Sequence, residues 1–313
     1  LIGKIVDYKP NTPSTGYDLS TAKSGYGSAQ TIDGTYDPTT WKIMEVDENG
    51  NITKLFGVPS SSQSTVYFRG STGYNNGVYL LNDICKSRYG NASLGATARS
   101  LNIEDIESRM NATGIAARNA YKSGTVQYGT TRKYTGSYAY YPAIYAQEKY
   151  SGVDVSDVAD GTQVITGSVD ATAQAKMNPS GKSGSDDIYT TLPETSETTG
   201  PSKTNLTCTQ TYYYFSNTPS SYFDDTNFHS MIFGTGTYFW LASRYVSCYS
   251  SSSYASFGLR YVNGSYLGGY NLFYSNGDTI SSRSRLASVV SLGSGIQVKS
   301  GEGTTEKPYV IGK

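Results

Sequence analysis

Apolar positions in this chain come as short runs whose spacing changes from one region to the next. Trp41 to Val46 and Ile52 to Val58 are apolar-rich and separated by Asp47-Glu48-Asn49-Gly50. Asn-Gly between two such runs predicts a β-hairpin, since both residues tolerate the positive φ of a tight turn. After Asn76-Gly77, the residues Val78, Leu81, Ile84 and Cys85 recur at helical spacing, and the pattern stops near Gly90. A second helix is expected over roughly Asn102 to Met110. Asn102 suits the cap, Glu104 and Asp105 fall in the first turn, and Ile103, Ile106 and Met110 share a face.

From Thr113 to Asn205 the pattern fades. Ser, Thr, Gly and Tyr dominate, and apolar clusters such as Ala143-Ile144-Tyr145 are sparse. Asn178 to Lys203 carries three prolines and many hydroxyl residues, as exposed loops do. Regular patterning returns at Thr211 to Phe215, Met231 to Gly234 and Tyr238 to Ala242. Phe257 to Val262 and Ala287 to Leu292 read as further strands. Ile2 to Val6 and Tyr309 to Ile311 are short β-like runs, and their pairing would close the domain on itself. The expected organisation is one α+β domain with a mainly antiparallel sheet, two helices and long loops. Its N-terminal part is 1–112, its C-terminal part 206–313, and a polar insertion, 113–205, lies between them.

Composition sharpens this picture. Thirty tyrosines stand against nine phenylalanines and two tryptophans, so tyrosine supplies most of the large side chains. It packs a ring while keeping a hydroxyl for water. The formal net charge is zero, and no stretch concentrates positive charge for a phosphate backbone, so no nucleic-acid partner is expected. No apolar run approaches membrane-spanning length. The chain opens at Leu1 without an initiator methionine or a signal peptide, as a processed form would.

Candidate chemistry is thin. The cysteines, Cys85, Cys208 and Cys248, form no CxxC pair and no metal-ligand spacing. They read as buried or incidental thiols, with a single Cys85–Cys208 bridge left open. His229 is the sole histidine, and no nucleophile-elbow motif accompanies it, so a catalytic Ser-His-Asp set is not expected. Asp224-Asp225 and Asp186-Asp187 are acidic doublets of the kind that solvated loops carry. Neither catalytic residues, nor a metal, nor a cofactor is expected.

One stretch is unusual. From Leu241 to Ile296 there is no lysine, glutamate, glutamine, methionine or tryptophan. Tyr, Ser, Asn and Gly fill it instead, as in Tyr249-Ser250-Ser251-Ser252-Ser253-Tyr254 and Gly268-Gly269-Tyr270-Asn271. That palette is the one antibody loops use: rigid rings for contact area and small polar residues for adaptable hydrogen bonds. The absent types follow a genetic rule as well. Replacing the adenines of an AAC or AAT codon yields Asn, Tyr, Ser, Asp, Gly, Ile, Phe or Cys among others, and never Lys, Glu, Gln, Met or Trp. The candidate ligand-binding residues are Tyr245, Ser247, Tyr249, Ser251, Ser253, Tyr254, Ser256, Tyr261, Asn263, Ser265, Tyr266, Tyr270, Asn271, Tyr274, Asn276, Asp278, Ile280 and Ser282. Phe257, Leu259, Val262, Leu272 and Leu286 to Leu292 are expected in the core between them. Tyr249, Tyr254, Tyr266, Tyr270 and Tyr274 are expected to be exposed on one face.

Three apolar motifs interrupt the polar clusters: Tyr238 to Arg244, Phe257 to Val262 and Arg285 to Leu292. Together they resemble the fixed scaffold of variable proteins targeted by diversity-generating retroelements, whose variable segment is likewise C-terminal. That resemblance implies a C-type-lectin-like fold, related to that of the formylglycine-generating enzyme, with hypervariable residues on a ligand-binding face. The enzyme's cysteine pair has no counterpart here, so its chemistry is not carried over. Trp41 to Met44 and Gly73 to Leu81 also resemble bacterial surface proteins that begin with a pilin-type helix. The implied function is an adhesin-like, surface-displayed binder, extracellular on a bacterial cell or pilus. Its partner would be a protein or glycan on another cell or host surface. This stretch itself would not touch the membrane; a pilin-type helix outside it would anchor it. The alternative is a phage or prophage receptor-binding protein, carried on a virion and using the same face. An enzyme of the formylglycine-generating type is a minor alternative.

Overall fold

A computed structural model describes residues 1–11, 15–120, 122–123, 126–127, 131–134, 140–142, 165–167, 189–191, 206–209, 215–248, 255–274 and 278–313. The chain begins with β1 (Ile5–Val6), β2 (Tyr17–Leu19), α1 (Thr21–Ser24) and β3 (Gln30–Ile32). The expected hairpin follows as β4 (Thr40–Val46) and β5 (Ile52–Val58), with Gly50 at φ 78° in its turn. β6 (Val66–Arg69) leads into α2 (Gly70–Tyr89), which starts earlier than the apolar spacing suggests. Its first turn is Gly-Ser-Thr-Gly, which carries no apolar periodicity to read.

Next come β7 (Thr97–Ser100) and α3 (Ile103–Glu107). The Asn102 cap forms as expected, in a reciprocal capping box with Asp105. The helix ends at Glu107, short of Met110, and Met110 instead makes a β-bridge to Phe223. α4 (Ala112–Ala120) follows. It packs on the turn at Ser220–Tyr222, where the Asn111 amide nitrogen donates to the Tyr222 carbonyl at 2.9 Å.

Within the expected insertion, 113–205, the described residues comprise most of α4 and short antiparallel strands. Two of these, Thr131–Tyr134 and Ile165–Gly167, flank Leu206–Thr209, which opens the expected C-terminal part. After it, α5 (Thr226–Phe233) takes up Met231, Ile232 and Phe233 in a helix, where the apolar run alone suggested a strand. Asp225 decides this locally: its carboxylate accepts from the backbone of Asn227 and Phe228, capping the helix. The C-terminal third contains β8 (Tyr238–Cys248), β9 (Ala255–Asn263), β10 (Tyr266–Tyr274), β11 (Ser281–Ser284), β12 (Ser288–Ser291), β13 (Gln297–Ser300) and β14 (Val310–Gly312).

The fold is α+β with mainly antiparallel strand pairing, and the described residues form five α-helices where two were expected, because α1, α4 and α5 are too short to show a clear apolar period. One sheet has the order β1-β4-β5-β12-β7, the other β8-β9-β10, and β6 pairs with β11 beside them. α2 sits between the two main sheets. Tyr74, Val78, Leu81 and Ile84 join the cluster containing Trp240, Phe257, Leu259 and Leu272, while Cys85 and Tyr89 join that of Trp41, Ile43, Leu55 and Val290. Gly77 lets α2 approach β9 closely, since a Cβ there would overlap the Leu259 side chain. Of the expected core residues, Phe257, Leu259, Val262, Leu272 and Leu286 to Val290 are buried, while Ser291 and Leu292, at the end of the run, are half-buried. The two chain ends meet as expected: Val6 bridges Tyr309 in parallel, and the Tyr309 amide donates to the Ile5 carbonyl at 2.9 Å.

Cys85 is a free, fully buried thiol, so the Cys85–Cys208 bridge left open by the sequence does not form. Burial pushes its pKa up, which suits an inert core residue. Among the described residues, no helix is long and apolar enough to cross a membrane.

Candidate functional site

The candidate binding residues fall mainly on the β8-β9-β10 sheet. These three strands hold only two charged residues, Arg244 and Arg260, and both are buried. Arg244 ties the sheet to α2: its Nε donates to the Tyr74 carbonyl at 2.8 Å, and its guanidinium lies 5.4 Å from the Tyr74 ring centre. Burial drives the Arg244 pKa down and lifts the Tyr74 hydroxyl to about 12.

Strand register distributes the tyrosines. Directly opposed residues of an antiparallel pair share a face. Tyr261 lies opposite Trp240 and Gly268, and Tyr270 opposite Leu259, so Tyr261 and Tyr270 lie on the face packed against α2. Their rings stack at 3.9 Å with an interplanar angle of 9°. Tyr266 joins them, 5.3 Å from Tyr261, and Trp240 meets Tyr270 edge-on at 5.4 Å. Tyr270 is half-buried, and that burial raises its hydroxyl pKa.

The opposite face carries a second group. Tyr245 lies across from Gly258, and its ring covers both Gly258 and Gly269, where any Cβ would collide with it. Its hydroxyl donates to Asn271 Oδ1, and Asn271 Nδ2 donates to the Tyr274 hydroxyl at 2.8 Å. The candidate tyrosines therefore occupy both faces of the sheet, not the single face expected. A β-bulge between Phe257 and Gly258 shifts the register of β10 between Tyr270 and Tyr274, which simple alternation along the chain does not reveal.

Exposure corrects several assignments. Tyr245 (1%), Ser256 (2%) and Tyr261 (8%) are buried, so they support the face and do not offer it to a ligand. Tyr266, Tyr270 and Tyr274, expected to be exposed, are half-buried, because their rings rest on neighbouring rings or amides; Asn271 and Ser282 are half-buried too. Asn263, Ser265, Asp278 and Ile280 are exposed. Ser247 has its backbone in β8, while Tyr249, Ser251, Ser253, Tyr254 and Asn276 lie outside the described residues.

The remaining candidates for chemistry have structural partners. His229 Nε2 is 2.7 Å from the Thr218 carbonyl, and the ring stacks on Phe233 at 5.0 Å. Asp225 is the α5 cap already described, and Asp186-Asp187 lie outside the described residues. Among the described residues no three His, Cys, Asp or Glu side chains gather as a metal site. Sequence reasoning passed over Arg283 and Arg285, which flank Ser284 at the end of β11. Only folding brings them beside Tyr36, Tyr67 and Tyr238.

No protein-family model matches the chain, and no curated protein or solved structure matches it either.

Proposed function

We propose that the chain is a surface-displayed, adhesin-like binding protein of C-type-lectin-like fold, whose β8-β9-β10 region presents exchangeable residues to a protein or glycan partner. The observation that carries this reading is the division of labour within one hairpin. Phe257, Leu259, Val262, Leu267 and Leu272 are fully buried or nearly so, while Tyr266, Tyr270, Asn271 and Tyr274, interleaved with them, reach solvent in part. The apolar set holds the backbone whatever the interleaved residues are. Rings stacked before a ligand arrives lose little conformational entropy on binding, and their area supplies most of the affinity. Bacterial cell-surface or pilus display is part of the same proposal.

The test is genetic. Coding DNA for roughly Trp240 to Leu292 should have a near-identical template repeat beside a reverse-transcriptase gene, with differences mainly at template adenines. Mismatches spread evenly over all four template bases would refute targeted diversification.

A further inference from the structure

A cleft of about 400 Å³ opens beside the tyrosine stack, between β6, the start of β8 and β11. That volume lies within the range of small-molecule pockets, roughly 300–1,000 Å³. Tyr36, Tyr67, Tyr238, Ser64, Arg283 and Arg285 line it, and no carboxylate does. Four arginines elsewhere are held by carboxylates. Arg88 pairs with Asp37, Arg99 with Asp105, Arg109 with Glu45 and Arg118 with Glu107. Among the described residues, neither Arg283 nor Arg285 has an ion-pair partner.

Aromatic faces hold both guanidinium groups in place. Arg285 lies 4.9 Å from the Tyr238 ring centre, and its Nη2 donates to the Ser61 carbonyl at 2.9 Å. Its Nε and Nη1 are shielded from solvent, with no acceptor among the described residues. Arg283 lies 5.5 Å from the Tyr67 ring centre, and its Nη1 donates to the Tyr67 hydroxyl at 2.6 Å. That hydroxyl, having accepted, keeps its own proton to donate outward. Tyr67 is steadied from behind by a stack on Tyr26 at 4.6 Å. Gln63 fixes the floor, donating to the Tyr36 carbonyl and accepting from the Ser60 amide, each at 2.8 Å.

Two cations without a carboxylate favour an anion. Three tyrosine rings and the hydroxyls of Ser64 and Thr65 suit a partner with apolar faces and many hydroxyls. We propose that this cleft binds an acidic sugar, its carboxylate directed to Arg283 and to the Nη2 end of Arg285 and its hydroxyls to the tyrosine and serine rim. The site goes beyond the variable-face reading, because Tyr36, Gln63, Tyr67 and Tyr238 lie outside the stretch proposed to vary and neither arginine is among the residues proposed to contact its partner.

Titration of the 313-residue chain by calorimetry at low salt tests this, with glucuronate, glucose and N-acetylalanine as probes. Glucuronate should saturate, with glucose and N-acetylalanine each weaker by about tenfold or more. Arg283→Gln and Arg285→Lys should each weaken glucuronate by about tenfold, the first with no change in melting temperature because its side chain is exposed. Tyr266→Ser should leave glucuronate binding unchanged, so failure here is distinguishable from failure of the variable face. Four results would each overturn the proposal: no saturation by glucuronate, glucose binding as tightly, N-acetylalanine binding as tightly (a site for carboxylates such as peptide C-termini), or unchanged affinity in Arg283→Gln.

Discussion

The two main sheets bury their inner sides alike and finish their polar positions differently. On the five-stranded sheet, Glu45 accepts from Lys54 at 3.1 Å and from Arg109 at 2.7 Å. Arg99 holds Asp105 with a two-pronged contact at 2.6 and 2.7 Å. On β8-β9-β10 neutral groups take that place: the Tyr261–Tyr270 stack and the Tyr245–Asn271–Tyr274 hydrogen-bond chain. An ion pair constrains two positions at once, since losing one partner strands the other. Stacked rings and small neutral amides constrain each other weakly. The second sheet is therefore the one whose surface can change residue by residue while its core stays.

The largest effect should come from the core that both arrangements depend on. Leu259 packs against Gly77 of α2, so Leu259→Ala should cost about 2–5 kcal/mol by chemical denaturation, through the cavity it leaves. A loss below about 1 kcal/mol would mean the sheet does not rely on that contact. Next is the charged layer. The Asp105 carboxylate accepts from Arg99 and from the Asn102 backbone amide at the α3 cap, so Asp105→Ala should cost about 2–3 kcal/mol. The neutral layer should give less. Tyr270→Ser removes a stacked, half-buried ring and should cost about 1–2 kcal/mol. Exposed Asn263→Ser should change stability by no more than about 0.5 kcal/mol. If Tyr270→Ser proves costlier than Asp105→Ala, the two sheets do not differ as argued.

Acid should act on one layer only. Burial raises the Glu45 pKa, but hydrogen bonds from Lys54 and Thr53 and the charges of Lys54 and Arg109 outweigh it, leaving the carboxyl below its ordinary value of 4.5. A group depressed on folding stabilises above its unfolded pKa, and that stability is lost as pH falls through the folded value. Melting temperature should therefore fall as pH drops below about 4.5, and Glu45→Gln should make the fall shallower. The three strands β8, β9 and β10 contain no Asp or Glu, so Tyr270→Ser should leave the slope unchanged.

Local signals in the sequence determined the β4–β5 hairpin, through Asn49-Gly50, and the α3 start, through Asn102 and Asp105. They also determined the core of the C-terminal strands, because burial of Phe257, Leu259 and Val289 follows from apolar side chains alone. The absence of five residue types between Leu241 and Ile296 was equally legible, since composition needs no structure. Tertiary structure alone decided which tyrosines reach solvent. Tyr245 and Tyr266 are the same residue type in similar surroundings along the chain. Tyr245 is buried because Gly258 and Gly269, from two other strands, leave room for its ring, and Tyr266 stays half-buried at the hairpin's end. The Arg283–Arg285 cleft was invisible for the same reason. Its walls come from Tyr36, from Gln63 to Tyr67, from Tyr238 and from Arg283 to Arg285, and a site built by packing such distant segments leaves no local pattern to read.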